Sequence, residues 1–216
     1  MSADQNTPRP WLTCLDMEGV LVPEIWIAVA ERTGIEELRL TTRDVADYAA
    51  LMRHRIDVLD AHHLGLADIQ AVIASIEPLP GARAFLDDLR TRQQVVILSD
   101  TFEQFAGPLM AQLGRPTILC HSLVVEDGRI RDWRMRLPDQ KRASVAAFQA
   151  LGYAVSAGGD SYNDGSMLCA AEVGVLFCPP PAVVAAFPQL PVTRTYDEFL
   201  GALLDGQDRT DRGASV

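Results

Sequence analysis

Trp11-Leu12-Thr13-Cys14-Leu15-Asp16-Met17-Glu18-Gly19-Val20 is an apolar run that rises to an aspartate, adds a glutamate two positions later and reaches a glycine where the backbone can turn sharply. Read as a buried strand, it delivers two carboxylates to its own C-terminal end. Carboxylates withdrawn from water repel one another and resist ionisation unless a cation or hydrogen-bond donors compensate them. The compensating groups have to come from elsewhere in the chain.

Working outward, the same pattern recurs twice. The apolar segment 95–98 ends at Ser99-Asp100-Thr101, and the segment 153–157 ends at Gly158-Gly159-Asp160-Ser161-Tyr162-Asn163-Asp164. Segments 117–125 and 173–177 also read as strands. Asp127-Gly128 is a hairpin-turn dipeptide that would pair 122–125 with 129–137. Helical spacing fills the intervals at 82–92, 102–113 (stopped by Gly114), 139–151, 166–171, 179–187 and 196–204. Strands alternating with helices predict an α/β fold with a Rossmann-like parallel sheet covered by helices on both faces. Such sheets bind ligands at the carboxyl ends of their strands, so 16–19, 99–101 and 159–164 are expected to meet at one rim.

Residues 23–77 carry no strand signal. Pro23 opens a helix in which Ile25, Trp26, Ala28, Val29 and Ala30 recur at helical spacing until Gly34. A loop with capping residues follows at 41–44, and then Tyr48, Leu51, Met52, Ile56 and Leu59 make another apolar helical face. Glu77-Pro78-Leu79-Pro80-Gly81 is a breaker. The expected organisation is a core of 11–22 and 78–204, a small helical cap at 23–77 inserted after the first strand, and flexible tails at 1–10 and 205–216.

Composition narrows the partners. A formal net charge of −10 over 216 residues argues against nucleic acid, which needs a clustered basic surface. No apolar run approaches the ~20 residues of a membrane span. The polar first ten residues are not a secretory leader, so a cytoplasmic location is expected. Cys14, Cys120, Cys169 and Cys178 lack metal-site spacing and read as small buried hydrophobes in a reducing compartment; His54, His62, His63 and His121 form no metal motif. A homodimer is compatible with all of this and required by none of it.

If the three strand ends meet, Asp16, Asp160 and Asp164 form an oxygen-only cluster of the kind that selects Mg²⁺. Ser99 and Thr101 add hydroxyl and backbone donors suited to phosphate oxygens at a strand-to-helix junction, and Lys141 can neutralise charge on a transferring group. A carboxylate beside Mg²⁺, a lysine and a serine can attack phosphorus to form an aspartyl-phosphate.

The ordered set Asp16-Met17-Glu18-Gly19-Val20, then Val95-Val96-Ile97-Leu98-Ser99-Asp100-Thr101, then Lys141, then Gly159-Asp160-Ser161-Tyr162-Asn163-Asp164 resembles the four motifs of the haloacid dehalogenase superfamily. Within it the chain resembles phosphoserine phosphatases with a helical cap. Through Leu15 to Ile27 it is most similar to those that also pass the phosphoryl group to homoserine. The resemblance covers roughly 11–203. It implies Asp16 as nucleophile and Glu18 as the acid and base. Mg²⁺ would be held by Asp16, the Glu18 backbone carbonyl and Asp160, with Asp164 supporting the metal or orienting Lys141. It further implies phosphate contacts from Ser99, Thr101, Lys141 and Asn163. Glu24 would meet the substrate ammonium and Arg55 its carboxylate, whereas Arg53, two positions earlier, points elsewhere on a helix. The alternatives are a phosphatase for another small phosphomonoester, or a receiver module phosphorylated on Asp16.

Overall fold

The structure is a computed structural model that describes residues 9–41, 44–45 and 47–213, the side chains of 208–213 excepted. Strands β1 (Trp11–Leu15), β2 (Gln94–Phe102), β3 (Thr117–Glu126), β4 (Arg129–Arg134), β5 (Ala154–Gly159), β6 (Val173–Phe177) and β7 (Val192–Thr193) form one sheet in the order β4-β3-β2-β1-β5-β6-β7. Every pairing is parallel except the β3–β4 hairpin. At the hairpin turn Asp127 and Gly128 both have positive φ, 50° and 76°, the conformation that a tight right-twisted hairpin demands. The two-residue β7 is too short to leave a periodic signal in the sequence.

Alternation along the central strands feeds two apolar layers. Leu15 and Ile97 face a cluster completed by Phe85, Leu86 and Leu89 of α4 (Ala82–Arg92), Phe105 and Leu109 of α5 (Glu103–Gln112) and Phe199 of α9 (Tyr196–Gly213). Leu12, Cys14, Val96 and Leu98 face Val145 of α6 (Gln140–Ala150), Met167 and Leu168 of α7 (Gly165–Ala170) and Val183 of α8 (Pro181–Ala186). The parallel sheet is thus apolar on both faces, as its continuous hydrophobic strands require.

The segment after β1 folds as α1 (Ile25–Thr33), a short 3-10 turn, α2 (Tyr48–Ala61) and α3 (Leu66–Ala74). Asp47 caps α2 by accepting the N–H groups of Ala49 and Ala50. In the preceding loop Asp44 accepts the N–H of Thr41; Thr42 and Arg43 of the expected loop lie outside the described residues. Trp26 packs edge-on to Phe105 with ring centroids 5.8 Å apart. The β3–β4 hairpin grips α2 and α3 from the side. Arg53 pairs with Asp132 and stacks over Trp133, Asp60 pairs with Arg129 and Arg131, and the Leu66 N–H donates to the Gly128 carbonyl. Arg53 is therefore spent on the hairpin.

Four expectations are corrected. β2 does not stop at Leu98: it continues, with an irregular register, to Phe102. Ser99 and Thr101 therefore lie on extended backbone, and α5 starts at Glu103 without a side-chain cap. α9 runs past 204 to Gly213; the first eight and last three residues of the expected tails lie outside the described residues. Only Cys14 and Cys120 are buried, while Cys169 and Cys178 are exposed. Among the described residues, no helix is long and apolar enough to cross a membrane.

Candidate active site

Leu15 lies opposite both Ile97 of β2 and Gly158 of β5, so the three strands deliver their polar ends side by side. The Asp16 N–H extends the ladder by donating to the Gly158 carbonyl at 2.9 Å. The chain then coils tightly: the Leu21 and Val22 N–H groups donate to the Met17 carbonyl, and the Gly19 N–H to that of Val22. Gly19 has φ +76°, and a Cβ there would lie 2.5 Å from Asp160 Cγ. Only glycine lets this loop close against Asp160.

Asp16, Asp160 and Asp164 are all buried, with one carboxylate oxygen of each within 4.8 Å of the others. Lys141, also buried, places Nζ 2.8 Å from Asp16 Oδ1 and 2.7 Å from Asp164 Oδ1. Asp164 Oδ2 accepts the N–H groups of Asp160 and Ser161 and the Ser161 hydroxyl. Asp164 thus ties its own loop together rather than capping α7 with its side chain. Burial, then the charge of Asp164, pushes the Asp16 carboxyl well above the usual range, and Lys141 only partly offsets this. Burial by itself would lower the Lys141 pKa, but Asp16, Asp164 and Asp100 outweigh it and raise it. One ammonium between two of three packed carboxylates leaves negative charge that a hard divalent cation would compensate, and the all-oxygen donor set fits one.

Glu18 turns back over α1. Its Oε2 accepts the Ile25 N–H at 2.8 Å, supplying the cap that the side chain of Glu24, the residue at the cap position, does not. Burial, with the neighbouring Glu24 carboxylate, pushes the Glu18 carboxyl up to about 7, against the opposing pull of the Ile25 N–H, Arg55 and Lys141. Arg55 is buried, with Nη2 donating to the Leu40 carbonyl at 2.9 Å, its guanidinium 4.6 Å over the Trp26 ring, and Nε without a partner. Burial brings its pKa down to about 10, opposed by Glu18, Tyr48 and Glu24. Glu24 is exposed at the entrance of α1.

On the β2 side Ser99 and Thr101 are buried, and the Ser99 hydroxyl accepts the Thr101 N–H at 3.2 Å. Asn163 donates to Asp100 Oδ2 at 3.0 Å. Asp100, Gln140, His121 and Tyr48 were not among the expected site residues. Gln140 Nε2 donates to the Ser99 carbonyl and to Asp100 Oδ1; His121 Nε2 sits 3.5 Å from Asp100 Oδ1, while its Nδ1 accepts the Arg136 N–H. Burial works against ionisation of Asp100, but bonds from His121, Gln140 and Asn163 and the charge of Lys141 hold its carboxyl well below the usual range. Asp100 had a signal, since it stands inside a strand-end tripeptide. His121 and Gln140 had none, because only tertiary packing sets them beside it.

Residues 16–168, from Asp16 into α7, match the family model of the haloacid dehalogenase-like hydrolases. The chain belongs to this family. It is 54% identical over 199 residues to a phosphoserine phosphatase of Pseudomonas syringae pv. tomato, covering 92% of this chain and 84% of that one. It is also 54% identical over 200 residues to the phosphoserine phosphatase ThrH of Pseudomonas aeruginosa, covering 92% and 98%. Among solved structures, an apo phosphoserine phosphatase superposes with a TM-score of 0.73 at 22% identity, covering 89% of this chain and 98% of that one. A phospho-aspartyl intermediate analogue of phosphoserine phosphatase gives 0.72 at 21% identity, over 89% and 98%. At these identities the structural matches speak for the shared fold.

Proposed function

We propose that this hydrolase is a Mg²⁺-dependent phosphoserine phosphatase that works through an aspartyl-phosphate on Asp16. The observation that carries the reading is the buried group of Asp16, Asp160 and Asp164 bridged by Lys141, in a chain 54% identical to two phosphoserine phosphatases. Asp16, Asp160, Asp164 and the Glu18 backbone carbonyl would hold the ion. When bound, Mg²⁺ offsets the mutual repulsion of the carboxylates and draws charge from phosphate oxygens.

The remaining work falls to side chains. Lys141 holds Asp16 in place through Oδ1, leaving the other oxygen to attack phosphorus. The bond from phosphorus to the serine oxygen breaks as Glu18 gives that oxygen its proton. A carboxyl with a pKa of about 7 is matched to this exchange near neutrality. Glu18, now ionised, takes a proton from water as that water attacks the phosphoryl group; the bond from phosphorus to Asp16 breaks, releasing phosphate and restoring the Asp16 carboxylate and the Glu18 carboxylic acid. Ser99, Thr101 and Asn163 bind phosphate oxygens, Arg55 takes the substrate carboxylate, Glu24 takes its ammonium, and 23–77 acts as a cap. Homoserine in place of water would yield phosphohomoserine by the same second step.

The test is turnover of O-phosphoserine with Mg²⁺, quantifying serine, phosphate and phosphohomoserine with and without homoserine. Wild type should release serine and phosphate, and Asp16→Asn should release neither. Equal phosphate release by the two proteins would defeat the reading. A homoserine arm without phosphohomoserine would remove transfer alone.

A further inference from the structure

Tyr48 stands where cap and core meet. It is the first residue of α2, and Arg55, seven positions on, lies two turns along the same helix face. The phenol ring is fixed edge-on against Trp133 of the hairpin, with centroids 6.4 Å apart and planes at 84°. Its hydroxyl reaches across to the core strand that carries Ser99 and Thr101, where it finds the Asp100 backbone carbonyl at 3.5 Å. That is long for a hydroxyl bond, and a partly buried phenol ordinarily secures a better partner.

The surroundings indicate what is missing. The hydroxyl is close enough for the charges of Asp100, Arg55 and Glu18 to act on it. Burial, followed by the Asp100 charge, raises its pKa further, so it remains a donor at neutral pH. The neighbouring Arg55 Nε is a buried donor that has no partner at all. Two underused donors on one helix face, with Glu18 and Glu24 acting electrostatically on the guanidinium, complement a carboxylate carried beside an ammonium. Neither donor has an evident part in a substrate that is phosphate alone.

We infer that the Tyr48 hydroxyl is a specificity-determining contact, donating with Arg55 to the carboxylate of the amino-acid phosphate. The inference rests on the proposed phosphoserine activity and extends it to a residue outside the family motifs quoted above. Tyr48→Phe removes the hydroxyl and keeps the ring against Trp133. The variant should show a KM for O-phosphoserine raised about tenfold or more, the scale of a hydrogen bond to a charged group. Its kcat should stay within about twofold, because the contact is made equally in ground and transition states. Inhibition by inorganic phosphate, which has no carboxylate, should be unchanged. A KM equal to wild type, or KM and the phosphate inhibition constant rising together, would overturn the inference while leaving the activity standing. A wild type inert to O-phosphoserine would overturn the proposed activity and this inference with it.

Discussion

Placing a methyl group on Gly19 should disable this enzyme more than it destabilises it. An alanine Cβ would sit 2.5 Å from both Cγ and Oδ2 of Asp160 and 2.7 Å from Oδ1. Ordinary carbon contacts lie near 3.5 Å, so the Asp160 carboxylate must retreat by about 1 Å. A displacement of that size at a reacting centre costs on the order of 100-fold in rate. The backbone adds its own penalty, since φ is +76° and an L-residue there loses about 1–2 kcal/mol. With a urea dependence of about 2 kcal/mol per molar, the unfolding midpoint falls by about 0.5–1 M. Gly34→Ala provides the control. Its φ is +72° but nothing lies within 4 Å of the added atom, so it should show the stability loss without the activity loss. The assays are urea unfolding, calorimetric Mg²⁺ titration and O-phosphoserine turnover of wild type and both variants. A Gly19→Ala protein whose Mg²⁺ affinity and turnover both stay within about threefold of wild type would refute the reasoning, because Asp160 would then not depend on the bare glycine.

Two further outcomes follow from the same cluster. Lys141→Met removes the ammonium 2.7 and 2.8 Å from Asp164 and Asp16 and should destabilise the protein by about 3–5 kcal/mol in EDTA at pH 8. The deficit should shrink toward pH 5, since the raised Asp16 carboxyl can take up a proton there; urea unfolding at the two pH values checks both statements. Glu18→Gln should lower turnover by about 100-fold or more yet leave the folded state firmer at high pH. The Glu18 carboxyl is raised in the folded state from 4.5 to about 7, so folding favours its protonated form, and wild-type stability is lost as pH climbs through that window. Glutamine cannot ionise and still offers an oxygen to the Ile25 N–H. In EDTA at pH 8 the variant should therefore be the more stable protein, by up to about 3 kcal/mol, with the difference gone at pH 4.

How far the chain could be read depended on the kind of signal each element leaves. β6, with four apolar residues around Gly174, and α4, with Phe85, Leu86 and Leu89 on one face, coincide with the segments expected from pattern alone. β2 was underestimated because Ser99-Asp100-Thr101 has turn-like composition; the strand nevertheless runs on through an irregular register, with β3 pairing on either side of those residues, at Leu98 and at Phe102. Asp16, Lys141, Asp160 and Asp164 were legible because each stands at a strand end or helix start in a recognisable order, and a parallel sheet sends such positions to one rim. Asp100's partners were not, because a buried histidine on a strand and a glutamine opening a helix are unremarkable until the fold places them together.

The sequence by itself determined the strand-and-helix alternation, the helical segment after β1 and the carboxylates that would gather, because periodicity and strand-end chemistry are local properties of a chain. The tertiary structure alone decided what compensates those carboxylates and how each is used. Lys141 is bridged between Asp16 and Asp164, which lie 125 and 23 residues away from it. The two carboxylates of the opening stretch part company: Asp16 points into the cluster, while Glu18 turns away to cap α1. Distances, burial and hydrogen-bond partners between residues remote in sequence set those roles, and no local pattern encodes them.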